Sequence, residues 1–149
     1  MDLHTRPLAA ADRDAWERLA RGYKLFYKTE TTADEYDRAW RRLLARDRVF
    51  GLVAEIEGRV VGLAHYLFHT STWTERVCYL QDLFVSPESR GQGAARALIV
   101  SVANAARSEG ASRCYWLTQE HNAVGRALYD KVARFNGFIR YDFDLASLP

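Results

Sequence analysis

The stretch 83–98, Leu-Phe-Val-Ser-Pro-Glu-Ser-Arg-Gly-Gln-Gly-Ala-Ala-Arg-Ala-Leu, changes character twice. It begins as an apolar extended run, passes through a loop with glycines at 91 and 93, and continues as an alanine-rich segment with helical spacing. Over 94–108 the spacing predicts a helix with Ala97, Leu98, Val100, Ser101 and Val102 turned inward. Gly110 stands just past its end, where a left-handed residue commonly closes a helix. A buried strand that feeds a helix through a glycine loop commits the chain to packing helices on a sheet.

The rest of the chain fits around this junction. Residues 2–6 read as a short first strand. Asp12 offers a side-chain cap for a helix along which Trp16, Leu19, Tyr23 and Phe26 recur at spacings of three and four. After a polar break at 29–33, a second helix over 33–45 carries Tyr36, Trp40, Leu43 and Leu44 as its apolar stripe. Residues 49–56 and 60–68 are rich in β-branched and aromatic side chains. Glu57-Gly58-Arg59 joins them as a hairpin, with Gly58 free to take a positive φ. Residues 70–75 form a polar loop, and 77–85 is a further strand ending at Ser86-Pro87.

Beyond the helix at 94–108, an almost continuous apolar run over 113–118 predicts a strand covered on both faces. Residues 123–135 read as a helix and 138–143 as a final strand. This order predicts one domain over 1–149 with an α/β (α+β) fold, a mixed sheet with helices on both faces.

Composition removes several function classes. With 48% hydrophobic and 27% charged residues the chain can bury a core, unlike a disordered segment. The net charge is only +2, and the densest basic stretch (Arg38, Arg41, Arg42, Arg46, Arg48) is interrupted by Trp40, Leu43 and Leu44. That pattern fits a solvated helix face, so no nucleic-acid partner is expected. Cys78 and Cys114 are too few and too far apart for a disulfide framework or a metal site. Reduced thiols and a cytoplasmic location are expected. No apolar run approaches the roughly 20 residues that cross a bilayer, and the first residues lack the apolar core of a signal peptide.

The glycine loop carries the chemistry. The first N–H groups of a helix have no partner inside it and point outward with the positive end of the helix dipole. A pyrophosphate placed there accepts several hydrogen bonds at once. Gly91 and Gly93 let the backbone approach such a ligand, and Arg90 adds a cation at the mouth. No Gly-Lys-Ser/Thr follows, so this is not a Walker loop, and the glycine spacing is not that of a dinucleotide fold. On the loop alone, an ordinary glycine turn before an amphipathic helix stays open.

Arg90-x-x-Gly93-x-Ala95 resembles the Arg/Gln-x-x-Gly-x-Gly/Ala motif of the GNAT superfamily of acetyltransferases. Tyr79-Leu80-Gln81-Asp82-Leu83-Phe84-Val85 is similar to the strand before that motif. Asn122 followed by Tyr129, within Ala127-Leu128-Tyr129-Asp130-Lys131, is similar to the family's fourth-helix signature. Phe138 after Gly137 matches its last long strand, so the likeness covers about 49–143. A finer likeness, on Tyr115-Trp116-Leu117-Thr118-Gln119-Glu120 and Leu128-Tyr129-Asp130-Lys131-Val132-Ala133, is to the yeast histone/polyamine acetyltransferase branch.

The resemblance implies a GNAT-like, mostly antiparallel sheet and N-acetyl transfer from acetyl-CoA to a primary amine: a small amine, a polyamine or an amino acid. A protein or peptide lysine is the alternative acceptor, and a non-catalytic CoA-binding protein the alternative class. It implies cofactor contacts from Leu83, Phe84, Val85, Arg90, Gly91, Gln92, Gly93, Ala94, Ala95 and Asn122, with the pyrophosphate on 91–95. A bulge near Leu83 and Phe84 would free backbone for the pantetheine arm, pairing at Phe84 and Val85. It also implies a homodimer through the C-terminal strands.

An alkylamine has a pKa near 10.4, so its neutral form at pH 7 costs about 4.6 kcal/mol and a proton acceptor matters. The resemblance makes Tyr129 the acid for the departing thiolate. The polyamine branch often carries Glu where this chain has Gln81, which leaves Asp82, Glu120 or a water relay as the base. Tyr23, Phe26, Tyr27, Glu30, Asp34 and Glu35 are the candidate acceptor-site residues. His65, His69 and His121 receive no role, and no metal site is expected.

Overall fold

The computed structural model describes residues 1–149 and forms two compact units, Met1–Leu117 and Thr118–Pro149. The first contains β1 (Leu3–Pro7), α1 (Arg13–Phe26), α2 (Ala33–Ala45), β2 (Val49–Ile56), β3 (Arg59–His69), β4 (Val77–Val85), α3 (Ala94–Ser108) and β5 (Cys114–Tyr115). The sheet order is β1-β2-β3-β4-β5. Its first three junctions are antiparallel and the last is parallel. The GNAT-like mixed α/β fold is therefore present.

Local chemistry explains the element ends. Glu57 and Gly58, both at positive φ, form the tight turn between β2 and β3. Thr32 accepts from the Glu35 N–H while Glu35 reaches back to the Thr32 N–H, a capping box that starts α2. Side chains alternate across the strands. Val53, Leu63 and Phe84 face Trp16 and Leu19 of α1 and Trp40 and Leu43 of α2 in one buried cluster. Leu98 of α3 packs on the other face, next to Gly62 and Val85. Each of these large side chains contributes about 1.5–3 kcal/mol by leaving water.

Several sequence expectations are corrected. Asp12 does not cap α1 with its side chain. Its carboxylate accepts from both terminal nitrogens of Arg6 and from the Ala9 N–H, a stronger, charge-assisted set of partners. Phe26, Leu44 and Val100 are exposed, whereas Ile99 is buried. The strand expected over 113–118 is only Cys114–Tyr115, partly exposed, because it pairs with β4 at Cys78 and Tyr79 alone. The two thiols are free.

The second unit is built on α4 (Ala123–Val132), which stops short of residue 135 because Ala133 is extended. The final strand over 138–143 is not formed. Phe138, Ile139, Tyr141 and Phe143 are exposed, and the segment is not part of the sheet ladder.

Candidate active site

The pairing of β3 with β4 slips once. Tyr66 lies opposite Leu80 and His65 opposite Asp82, which leaves Gln81 as the extra residue. The bulge thus lies at Gln81, earlier on β4 than the expected position near Leu83 and Phe84. Its consequence is chemical. An unbulged strand would set Gln81 opposite His65; the inserted residue moves Asp82 there instead, and Gln81 is exposed.

Asp82 Oδ2 lies 2.9 Å from His65 Nδ1, and Trp16 Nε1 donates to His65 Nε2 at 2.9 Å. An indole N–H only donates, so Nε2 accepts and the ring proton is on Nδ1, where it donates to Asp82. The contact is a hydrogen bond from a neutral imidazole to a carboxylate rather than an ion pair. Burial alone would raise the Asp82 pKa. Hydrogen bonds from His65 and from the Tyr23 hydroxyl, with Lys24 nearby, outweigh it and hold the carboxyl below the usual carboxylate range. Burial, together with the Asp82 charge, pushes the Tyr23 hydroxyl up, so it stays a donor.

These groups form one wall of an open cleft of about 330 Å³ between α1, α2 and the sheet. Of the expected acceptor-site residues, Tyr23, Glu30 and Glu35 line it, beside Tyr36 and Asp82. Phe26 lines a separate cleft with Phe84 and Arg90, Asp34 is exposed, and Tyr27 packs on Tyr23 and Phe26. The charged groups lining the first cleft are Asp82, Glu30, Glu35 and one cation, Lys24.

At the end of β4, the Ser86 N–H donates to the Val61 carbonyl at 2.8 Å. That bond fixes the ladder phase: the backbone of Asp82, Phe84 and Ser86 faces β3, and that of Leu83 and Val85 faces away. Pairing with β5 covers only Cys78 and Tyr79, so the outer edge from Leu80 to Val85 has no strand partner. The loop that follows sets Gly91 at φ 77° and Gly93 at φ 90°. Gly93 is the N-cap of α3, and no side chain caps this helix, whereas Thr32 caps α2 and Asn122 caps α4. The N–H groups opening α3, from Ala94 and Ala95 onward, are thus available to an anion. Arg90 folds back: its Nε donates to the Val85 carbonyl at 3.2 Å and its guanidinium lies over the Phe84 ring. Gln92 is exposed.

In the second unit, Asn122 accepts from the Gly125 N–H at 3.2 Å and donates to Thr118 Oγ1 at 2.9 Å. A Cβ at Gly125 would meet both the Asn122 amide and the Tyr129 ring, so these two side chains share one face of α4. Tyr129 is half-buried. Glu120 is exposed, and its backbone carbonyl accepts from Arg126.

Sequence reasoning missed His65 and Trp16 as members of the site. The signal was indirect: a polar His inside an otherwise apolar strand, facing the side of the sheet that α1 covers.

Residues 13–135 match the family described as acetyltransferase (GNAT). The D-amino-acid N-acetyltransferase of Saccharomyces cerevisiae is 34% identical over 82% of this chain and 78% of its own length. A thialysine N-epsilon-acetyltransferase of Caenorhabditis elegans is 31% identical over 64% of this chain and 60% of its own. An aminoglycoside N-acetyltransferase solved in complex with CoA superposes with a TM-score of 0.85 at 16% identity, covering 97% of this chain and 95% of that one.

Proposed function

The chain belongs to the GNAT family and is an acyl-CoA-dependent N-acetyltransferase, and from that premise we propose that it acetylates a small cationic amine, a free amino acid or polyamine, held in the cleft beside Asp82. The carrying observation is that cleft itself: three carboxylates against one lysine, with aromatic walls, on the face of β4 that carries Asp82. Acidic groups attract an ammonium, and aromatic faces hold it. The names of the relatives support the same class, since D-amino acids and thialysine both present a free amine.

Acetyl-CoA supplies the acyl thioester. The N–H groups at the start of α3 and the positive-φ glycines suit its pyrophosphate, and the outward backbone of Leu83 and Val85 suits its amide arm. This assignment departs from pairing at Phe84, whose carbonyl is directed at β3. Asp82 anchors the acceptor ammonium, and the proton that the amine gives up before attack leaves through water.

The test is a panel of polyamines, D- and L-amino acids and lysine peptides, read by release of CoA thiol. Small cationic amines are expected to turn over. Activity on lysine peptides alone would replace the proposed acceptor with a protein.

Tyr129 is proposed as the acid for the thiolate. Tyr129→Phe should lower turnover by about 100-fold, the lower end of general acid catalysis, with cofactor affinity retained. A purely structural tyrosine would instead shift stability by about 1 kcal/mol and leave turnover within twofold.

A homodimer is also proposed. The exposed apolar side chains Phe138, Ile139, Tyr141 and Phe143 are the kind of surface that soluble proteins cover. Sedimentation at micromolar concentration should give twice the 17.1 kDa chain mass; a monomer alone would reject it.

A further inference from the structure

We propose that His65 is a positioning residue for the acyl transfer: clamped between Trp16 and Asp82, it aims the Asp82 carboxylate into the acceptor cleft. The inference rests on the reading of Asp82 as the group that meets the acceptor amine.

The geometry is a three-residue chain with one polarity. Trp16 of α1 is 1% exposed and cannot move without disturbing the core, where its ring packs on Trp40 at 5.1 Å between centroids. Its N–H holds Nε2 of His65, the ring nitrogen that would otherwise be the free base. The proton is therefore fixed on Nδ1, 2.9 Å from Asp82 Oδ2. Asp82 is thus gripped at one oxygen, and the bulge at Gln81 is what makes it the register partner of His65. His65 itself has no lone pair left to take a proton from an amine, so its action passes through Asp82.

The groups around Asp82 are His65 on β3 and Tyr23 and Lys24 on α1. Glu30 in the loop after α1 and Glu35 on α2 line the same cleft. Burial favours a protonated Asp82; His65, Tyr23 and Lys24 oppose it. Loss of the His65 donor frees the gripped oxygen to turn away from the cleft and raises the carboxyl's pKa.

Four variants and a spectrum test this in the intact chain. A long-range proton–nitrogen correlation spectrum of the parent should show His65 with its proton on Nδ1; a proton on Nε2 would overturn the proposal. His65→Leu should lower kcat/KM for the best amine of the panel about 10- to 100-fold, as loss of a hydrogen bond to a charged group does. It should also move the acid limb of the pH profile upward. His65→Asn keeps an N–H donor near the Nδ1 position and should restore most of the rate and the limb.

In an Asp82→Asn background, His65→Leu should cost little more, because the two residues act as one. Additive losses would overturn the proposal, showing that His65 acts without Asp82. So would equal losses in His65→Asn and His65→Leu that track a fall in thermal midpoint with an unmoved limb. Should Asp82→Asn alone leave the rate unchanged, the reading of Asp82 fails and the proposal falls with it. A slow Asp82→Asn beside an unaffected His65→Leu would reject the proposal and spare that reading.

Discussion

A Gly93→Val variant is expected to lose acetyl-CoA affinity by about 10²- to 10⁴-fold while remaining folded. Gly93 sits at φ 90° as the N-cap of α3, a conformation that a β-branched residue does not adopt without strain. Valine would push the loop toward negative φ and turn the opening N–H groups of α3 away from a common point. Hydrogen bonds to a charged group are worth about 1.5–3 kcal/mol each, so losing two costs about 3–6 kcal/mol, which sets the expected range. The nearest heavy atom to the new Cβ, on Leu3, is 3.6 Å away, so packing does not forbid the substitution. Calorimetric titration with acetyl-CoA, alongside a far-ultraviolet spectrum, reads both quantities. Unchanged affinity in a folded variant would mean that the phosphates are held elsewhere.

The second large effect is expected at Asp82. Asp82→Asn removes the charge but keeps an oxygen that can accept from His65 Nδ1, so the thermal midpoint should change little. Without the carboxylate, the acceptor ammonium enters a half-buried cleft unpaired. Removing one partner of a desolvated charge pair costs about 2–4 kcal/mol, and kcat/KM should fall about 30- to 1,000-fold. Much of the loss should appear in the acceptor KM, because the pairing exists before the transition state is reached. The dissociation constant for acetyl-CoA should be unaltered. Steady-state rates on the same amine, with the cofactor saturating, check this; a rate within twofold of the parent would remove Asp82 from the acceptor site.

The two predictions draw on residues of different legibility. The strand–loop–helix junction was readable because its signals are local: an apolar extended run, two glycines, then helical spacing. The boundaries of β4 and α3 follow from those signals alone. The same holds for the hairpin of β2 and β3, set by Glu57 and Gly58. Asp82 was recognisable as an acid near a strand end, but its partners were not. His65 and Trp16 reach it through register and helix packing, between residues 17 and 49 positions apart, and the register depends on a bulge that no residue type at Gln81 announces. The segment 138–143 shows the opposite failure: its composition is that of a strand, yet a strand requires a partner for its backbone, and composition does not say where that partner comes from.

The reaction proposed is transfer of acetyl from acetyl-CoA to a small cationic amine in the Asp82 cleft. The most direct measurement is the mass balance of a reaction with the unmodified chain, acetyl-CoA and the best amine of the panel. One acetylated amine is expected for each CoA thiol released, with both abolished together when the amine is omitted. Binding of acetyl-CoA with no acetylated amine formed from any member of the panel would contradict it.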